Sequence, residues 1–321
     1  MTGRAVVGLA VGEDEVKAAA VDLAQGRPAL VGASRAALPE LVDGDGPDER
    51  LAAAMATALD QAGLAAPKGC RAVLGLGGPA VAVRLLSLPR LEKDEAREAV
   101  KWEAAQSLPF PVEEAVFDFH PFPAAGERME VLFVAARAAW VEAVTAAALA
   151  AGLEPVAVDL APAALGRTLK AVGWARKEQL VATVELGRGC AEVGLFRGED
   201  LVFSRVVPGG LRSLRREASA AGELESLDIL ESAPAQQLAA EVQRSLDYYR
   251  AQHEWLDVEE LAVTGAGAAD RELVNYLGEA TGIPTRVLPV AQALPARNAV
   301  DVPWDELGVA VGLALREVGR R

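Results

Sequence analysis

The sequence predicts a mixed α/β protein whose strand-rich core is duplicated about a central cleft. An internal repeat, the Gly turns inside it and the helical stripes between its copies lead to that class. The first copy reads RAVVGLAV, a turn at Gly12, VKAAAVDL, a turn at Gly26, then PALVGASRAAL. The second reads QLVATVEL, a turn at Gly187–Gly189, CAEVGLF, a turn at Gly198, then DLVFSRVV. Val-rich runs bounded by Gly read as strand, tight turn, strand, turn, strand. Duplication about a cleft sets the Gly12 and Gly187 turns face to face, a geometry suited to clamping a nucleotide phosphate.

The helices follow from spacing. Arg50 to Ala62 is Ala-rich and ends near Gly63, and Trp140 to Ala151 is closed by Gly152. Glu92 to Leu108 carries Ala96, Ala99, Val100, Ala104 and Leu108 on one stripe, and Leu238 to Tyr249 carries Leu238, Val242, Leu246 and Tyr249. Such stripes are read as core-facing. Between the repeats, Val83 to Glu154 reads as a separate inserted unit with strands Val81–Leu86, Ala115–Phe119 and Met129–Ala135. Its two helices are expected to cover one face of this small sheet. The acidic stretch Ala221–Gln237 lacks periodicity and is read as a mobile surface segment.

Composition excludes several classes. A chain of 321 residues exceeds the usual single-core size and is expected to form two lobes or more. Apolar residues make up 51%, largely Ala, and aromatics only 5%, which suits a soluble protein rich in Ala-based helices. A net charge of −14 argues against nucleic acid and against direct adhesion to an anionic membrane. Cys70 and Cys190 are too few for a disulfide framework or a Cys-based metal cluster. His120 and His253 are isolated, so neither a His-dependent triad nor a zinc site is expected. The apolar run Ala146–Leu153 is too short to span a bilayer, and strand-like residues follow Arg4 where a leader would need an apolar core. The expected compartment is the cytoplasm.

Several segments are similar to one family. VRLLSLPRLEKDEAREAVKWEAAQSLPFPVEEAVFDF (Val83–Phe119), VLFVAARAAWVEAV (Val131–Val144) and AGLEPVAVD (Ala151–Asp159) are followed by FSRVVPGG (Phe203–Gly210), EVQRSLDYYRAQ (Glu241–Gln252), LAVTGAGA (Leu261–Ala268) and LGVAVGLALR (Leu307–Arg316). Together they resemble the PilM family, cytoplasmic actin-like proteins of type IV pilus assembly related to FtsA. The resemblance implies a duplicated actin-like ATPase (ribonuclease H-like) fold with an FtsA/PilM-type inserted subdomain. It divides the chain into a first actin-like subdomain (1–82 and 155–179), the insertion (83–154), a second actin-like subdomain (180–213 and 260–321) and a helical subdomain (214–259).

The resemblance also implies an ATP–Mg²⁺ site. Its nucleotide positions fall on Gly12, Lys17, Glu185, Gly187, Gly209, Gly210, Glu241, Arg244, Gly265 and Gly267. The pattern is degenerate. Ala10 stands where the family's first hairpin carries an Asp working through Mg²⁺-bound water, and Glu13, Asp14 and Glu15 replace small hydroxyl residues. Glu185 replaces a second Asp, and Ala266 replaces a Gly in the adenosine segment, where a Cβ is expected to obstruct close backbone approach. Like charges about 4 Å apart repel by roughly 1 kcal/mol in water and about 4 at an effective dielectric near 20. Weak or lost ATP binding is therefore expected, with Glu13–Glu15 read as a solvated turn and no catalytic or metal-ligating residue assigned.

For a partner, the resemblance implies a groove between the inserted unit and the first lobe. There the family receives the N-terminal peptide of the inner-membrane protein PilN. Trp102, Leu108 and Phe110 are its candidate anchors, because Leu108–Pro109–Phe110–Pro111 presets a stiff extended backbone. The expected function is a non-catalytic cytoplasmic adaptor of a pilus or related secretion apparatus, held to the membrane indirectly. An active ATPase of the same fold and, further off, a small-molecule kinase are the alternatives; self-association stays open.

Overall fold

The computed structural model describes residues 5–22, 28–39, 47–64, 69–91, 93–106, 108, 110–123, 126–176, 179–214, 233–252 and 257–318. The Gly26 turn, Pro109, His253 and residues 221–232 of the acidic stretch lie outside these.

β1 (Ala5–Val11), β2 (Glu15–Asp22) and β3 (Ala29–Ala37) form an antiparallel meander. β4 (Cys70–Leu76) joins β1 in parallel, and β8 (Leu153–Leu160) joins β4 in parallel, giving the order β3-β2-β1-β4-β8. The second sheet repeats this plan. β9 (Leu180–Leu186), β10 (Cys190–Arg197) and β11 (Asp200–Pro208) make the meander. β12 (Val258–Thr264) and β13 (Thr285–Val287) follow in parallel, in the order β11-β10-β9-β12-β13. Strand order and direction are thus the same in both copies.

Strand alternation splits each sheet's side chains between two cores. Val7, Leu9 and Val11 pack with α1 (Pro47–Gln61) and α3 (Ala138–Ala150). Val6, Ala19 and Val21 join the larger core, which contains α4 (Ala161–Ala171), α7 (Gly308–Leu315) and the second sheet. Helices α4 and α7 approach closely at Gly312, where a Cβ would collide with the Ala164 carbonyl oxygen. Nearby, Thr168 Oγ1 donates to the Gly308 carbonyl at 2.7 Å. Helix α5 (Ala233–Gln252) packs on α6 (Arg271–Thr281), which Asp270 caps by accepting from the Leu273 N–H. The acidic stretch is therefore helical from Ala233 onward.

The inserted sheet holds β5 (Val81–Pro89), β6 (Ala115–Pro121) and β7 (Arg128–Arg137) in the antiparallel order β5-β7-β6. Helix α2 (Lys93–Ala105) lays Val100 on Leu88, Met129, Val131 and Phe133. It stops before Leu108, as the restricted backbone preceding Pro109 favours. The second helix of the expected unit behaves differently. Val144, Ala147 and Ala148 of α3 bury against α1 and the first sheet, with lesser contact to β6 and β7, so the insertion's own core is closed by α2. Leu30 N–H donates to the Pro295 carbonyl and Arg297 N–H to the Leu30 carbonyl, at 2.8 and 2.9 Å, tying β3 to the second lobe.

Candidate functional site

The two expected hairpin turns face each other across a cleft of about 470 Å³. In the first, Gly12 N–H donates to the Glu15 carbonyl at 2.9 Å, closing the turn between β1 and β2. The Leu38 N–H fixes the turn from β3 by donating to the Asp14 carbonyl at 2.7 Å. The second turn, between β9 and β10, presents Gly187, Arg188, Gly189 and Cys190. Ala10, Lys17, Glu185 and Glu192 line the floor, and Trp140 and Ala161 close one side.

The acidic turn is not simply solvated. Arg188 Nε donates to Glu15 Oε2 at 3.0 Å, and Lys17 Nζ approaches Glu15 Oε1 at 3.4 Å. Asp14 pairs with Arg212, which follows β11. The Glu13 carboxylate lies against Gly189. Glu15 and Asp14 therefore reach cations of the opposite lobe, and Glu13 reaches that lobe's turn.

Deeper in, burial pushes the Glu185 carboxyl above its ordinary pKa, with Lys17 opposing and Glu15 adding to the shift. Glu192 accepts from Ser204 Oγ at 2.8 Å and from the Gly78 N–H at 3.3 Å. Burial raises its pKa to about 7. Burial and then the surrounding carboxylates, Glu13 first, push the Cys190 thiol up to about 12, so it stays protonated and inert.

Of the nucleotide positions predicted from sequence, Gly12, Lys17, Glu185 and Gly187 line the cleft. Gly210 packs behind the second turn, donating its N–H to the Gly189 carbonyl at 3.1 Å, next to Gly209. Gly265 and Gly267 back the same hairpin against Leu186. Glu241 and Arg244 pair with each other at 2.5 Å, and Glu241 also with Arg205; neither lines the cleft. The conformational demand expected at Ala266 falls one residue earlier. Gly265 has φ 91° and ψ −177°, a backbone region essentially restricted to glycine, whereas Ala266 opens a short 3₁₀ turn.

The lining departs from the magnesium-triphosphate set that the resemblance implies. Ala10 offers no ligand, Glu15 is shared between Lys17 and Arg188, and Asp14 pairs with Arg212. Among the described residues no group of three or more His, Cys, Asp or Glu side chains is placed to hold a metal ion.

A second opening, a groove of about 780 Å³, lies where the inserted sheet, the first lobe and the β10–β11 turn meet. Its walls are β6 at Val116–His120 and β8 with the start of α4 at Val158, Asp159, Leu160 and Ala163. Both β6 and β8 are edge strands. Val116 is 51% exposed and Val158 38%, so the groove shows apolar side chains to solvent. Asp159 pairs with Arg167 at 2.6 Å and Arg316 at 2.8 Å along one wall. None of the three predicted anchors lines this groove. Phe110 and Leu108 pack into the small core beside Val100, with Arg137 lying over the Phe110 ring, and Trp102 stands exposed on α2. Phe110 thus plugs the insertion instead of walling the groove. Sequence reasoning missed Arg188 and Arg212; the one available signal was an arginine in the turn that mirrors an acidic one. Nothing local marks the edge valines.

A family model, type IV pilus assembly protein PilM, matches residues 48–218. Among solved structures, the chain is similar to the PilM–PilN type IV pilus biogenesis complex at 26% identity and TM-score 0.79, covering 98% of each chain. The cytoplasmic domain of EpsL, an inner-membrane component of the Vibrio cholerae type II secretion system, matches at 12% identity and TM-score 0.52, over 98% of this chain and 95% of that one. A Bacteroides thetaiotaomicron protein with an actin-like ATPase fold and unknown function matches at 9% identity and TM-score 0.50, over 90% and 95%. The duplicated sheets are therefore those of the actin-like ATPase fold. With the family match extending from α1 through the insertion and into the second meander, this chain belongs to the type IV pilus assembly protein PilM family.

Proposed function

We propose that this protein is a cytoplasmic adaptor of a type IV pilus or related assembly complex. It docks the N-terminal peptide of a PilN-like inner-membrane protein and works with weak or lost ATP binding. The observation that carries this reading is the apolar groove between the β6 and β8 edges, in a family whose similar solved structure is a PilM–PilN complex. An extended peptide can hydrogen-bond to an exposed sheet edge while its side chains fill apolar pockets, which gives affinity and register together. Among the described residues no helix is long and apolar enough to cross a membrane, consistent with attachment through a partner. The ion-paired cleft supports an adaptor over an ATPase, since Lys17 and Arg188 are already engaged by Glu15.

Calorimetric titration of the full chain with a PilN-type N-terminal peptide tests the reading. Saturable micromolar binding supports it, and no binding at high micromolar peptide rejects it. Micromolar affinity for Mg-ATP in the same instrument would restore the ATPase alternative.

A further inference from the structure

We infer that the cleft is closed by an intramolecular latch. The first hairpin's own carboxylates take the anion positions on the second hairpin, where a ligand's phosphates would otherwise sit. The inference deepens the reading of an ion-paired cleft and rests on it. Arg188 and Arg212 stand on the second lobe beside the Gly187–Gly189 turn, and both are engaged by consecutive residues, Glu15 and Asp14, of the first. Glu15 is largely buried and bridges two cations, Arg188 and Lys17. Glu13 fills the space over Gly189. Consecutive acids thus span the gap between the lobes.

The chemistry follows from charge and access. A phosphate entering this cleft meets the carboxylates of Glu13, Asp14 and Glu15, and Lys17 and Arg188 are already engaged by Glu15, so it must displace Glu15 before those two cations can hold it. The Asp14–Arg212 pair is exposed, and such pairs are individually weak and salt-sensitive, whereas the Glu15 pairs lie deeper. The latch therefore opens reversibly, and closure depends on several pairs forming together. The ligand class that competes with it is a polyphosphate, because only a chain of anionic groups can replace adjacent carboxylates on Arg188, Arg212 and Lys17 at once.

Two isosteric variants of the full chain test the latch: D14N/E15Q removes the carboxylates, and R188Q/R212Q removes their partners. Hydrogen exchange of residues 12–17 and 187–190 reads closure, and calorimetry with inorganic tripolyphosphate reads the freed anion positions. Both variants are expected to exchange at least about fivefold faster there than wild type. Only D14N/E15Q is expected to gain tripolyphosphate affinity, by at least about tenfold. Raising ionic strength about tenfold should speed exchange in wild type and leave the variants nearly unchanged. Wild-type exchange rates in both variants would overturn the latch. So would equal tripolyphosphate affinity in wild type and D14N/E15Q, or an equal gain in R188Q/R212Q. A peptide titration on the same samples separates the two ideas: lost peptide binding in wild type sinks the adaptor reading and leaves the exchange result standing.

Discussion

Arg35 Nη1 donates to both carboxylate oxygens of Glu306, at 2.7 and 2.8 Å, joining β3 of the first sheet to the turn before α7. Glu306 is buried at 7% exposure. The adjacent Asp305 carbonyl accepts from Thr264 Oγ1 at 2.6 Å and from the Gly265 N–H at 2.7 Å. One arginine of the first lobe therefore steadies the loop that holds the glycine motif of the second.

Removing that arginine leaves a buried carboxylate without its partner, which costs more than the pair contributes when intact. Arg35→Ala is expected to destabilise the fold by about 2 kcal/mol, a value discounted because Arg35 itself is partly exposed. Arg35→Lys keeps the charge but loses the two-oxygen geometry and should fall between. Urea denaturation midpoints check both; an Arg35→Ala midpoint equal to wild type would show that the pair is energetically idle.

Glu192 gives the protein a pH dependence of definite sign. Its folded pKa, about 7, lies above the ordinary carboxylate value, because burial penalises the anion more than the Ser204 and Gly78 hydrogen bonds favour it. Between about pH 4.5 and 7 the folded state then holds more protons than the unfolded chain, so stability falls as pH rises. The full excursion is about 3 kcal/mol at one pKa unit per 1.4 kcal/mol. Glu192→Gln is expected to flatten this slope and to be more stable than wild type at pH 8. Thermal melts across that range decide it, and identical slopes in both proteins would exclude Glu192 as the source.

The contact of α4 with α7 predicts a third outcome. Because Gly312 packs directly on the Ala164 carbonyl, one added methyl must separate the two helices. Overpacking of this kind costs typically about 1–3 kcal/mol, and α4 and α7 lie between the two sheets. Gly312→Ala should therefore lower the melting temperature by several degrees (~2 kcal/mol). An unchanged melt would mean that the helices have room to spare.

Much of this fold was legible because strands and tight turns are local. Val-rich runs between Gly12, Gly187 and Gly198 suffice to mark the meanders, and their repetition marks the duplication. The placement of α3 was not legible. Its sequence is apolar nearly all round, so no stripe says which neighbour it covers. The cleft residues were half legible. The acidic turn is plain to read, but Glu15 and Arg188 lie 173 residues apart, and a charge's partner across such a distance exists only once both hairpins are folded. Phe110 misled for a related reason: the proline-flanked backbone is a local property, whereas the ring's burial beneath Arg137 is a tertiary one. Gly265 and Ala266 show the same limit, since which of two neighbours adopts positive φ is set by the close approach of Leu186.

That distinction between local and tertiary signals sets the last prediction, which concerns the partner groove. If the peptide adds along the β6 and β8 edges, its apolar side chains must meet Val116 and Val158, which are exposed now and would be buried then. Val116→Asp places a charge in that contact. It leaves the free protein almost unaffected, because an exposed edge position typically shifts stability by no more than about 0.5 kcal/mol. Peptide affinity is expected to fall at least about tenfold, about 1.4 kcal/mol, and further with Val158→Asp. Trp102→Ala should bind the peptide as wild type does, since Trp102 stands on α2 outside the groove. The reverse pattern, with Trp102→Ala impaired and Val116→Asp intact, would move the docking surface from the sheet edges to the α2 face and return the proline-flanked segment to the role its sequence first suggests.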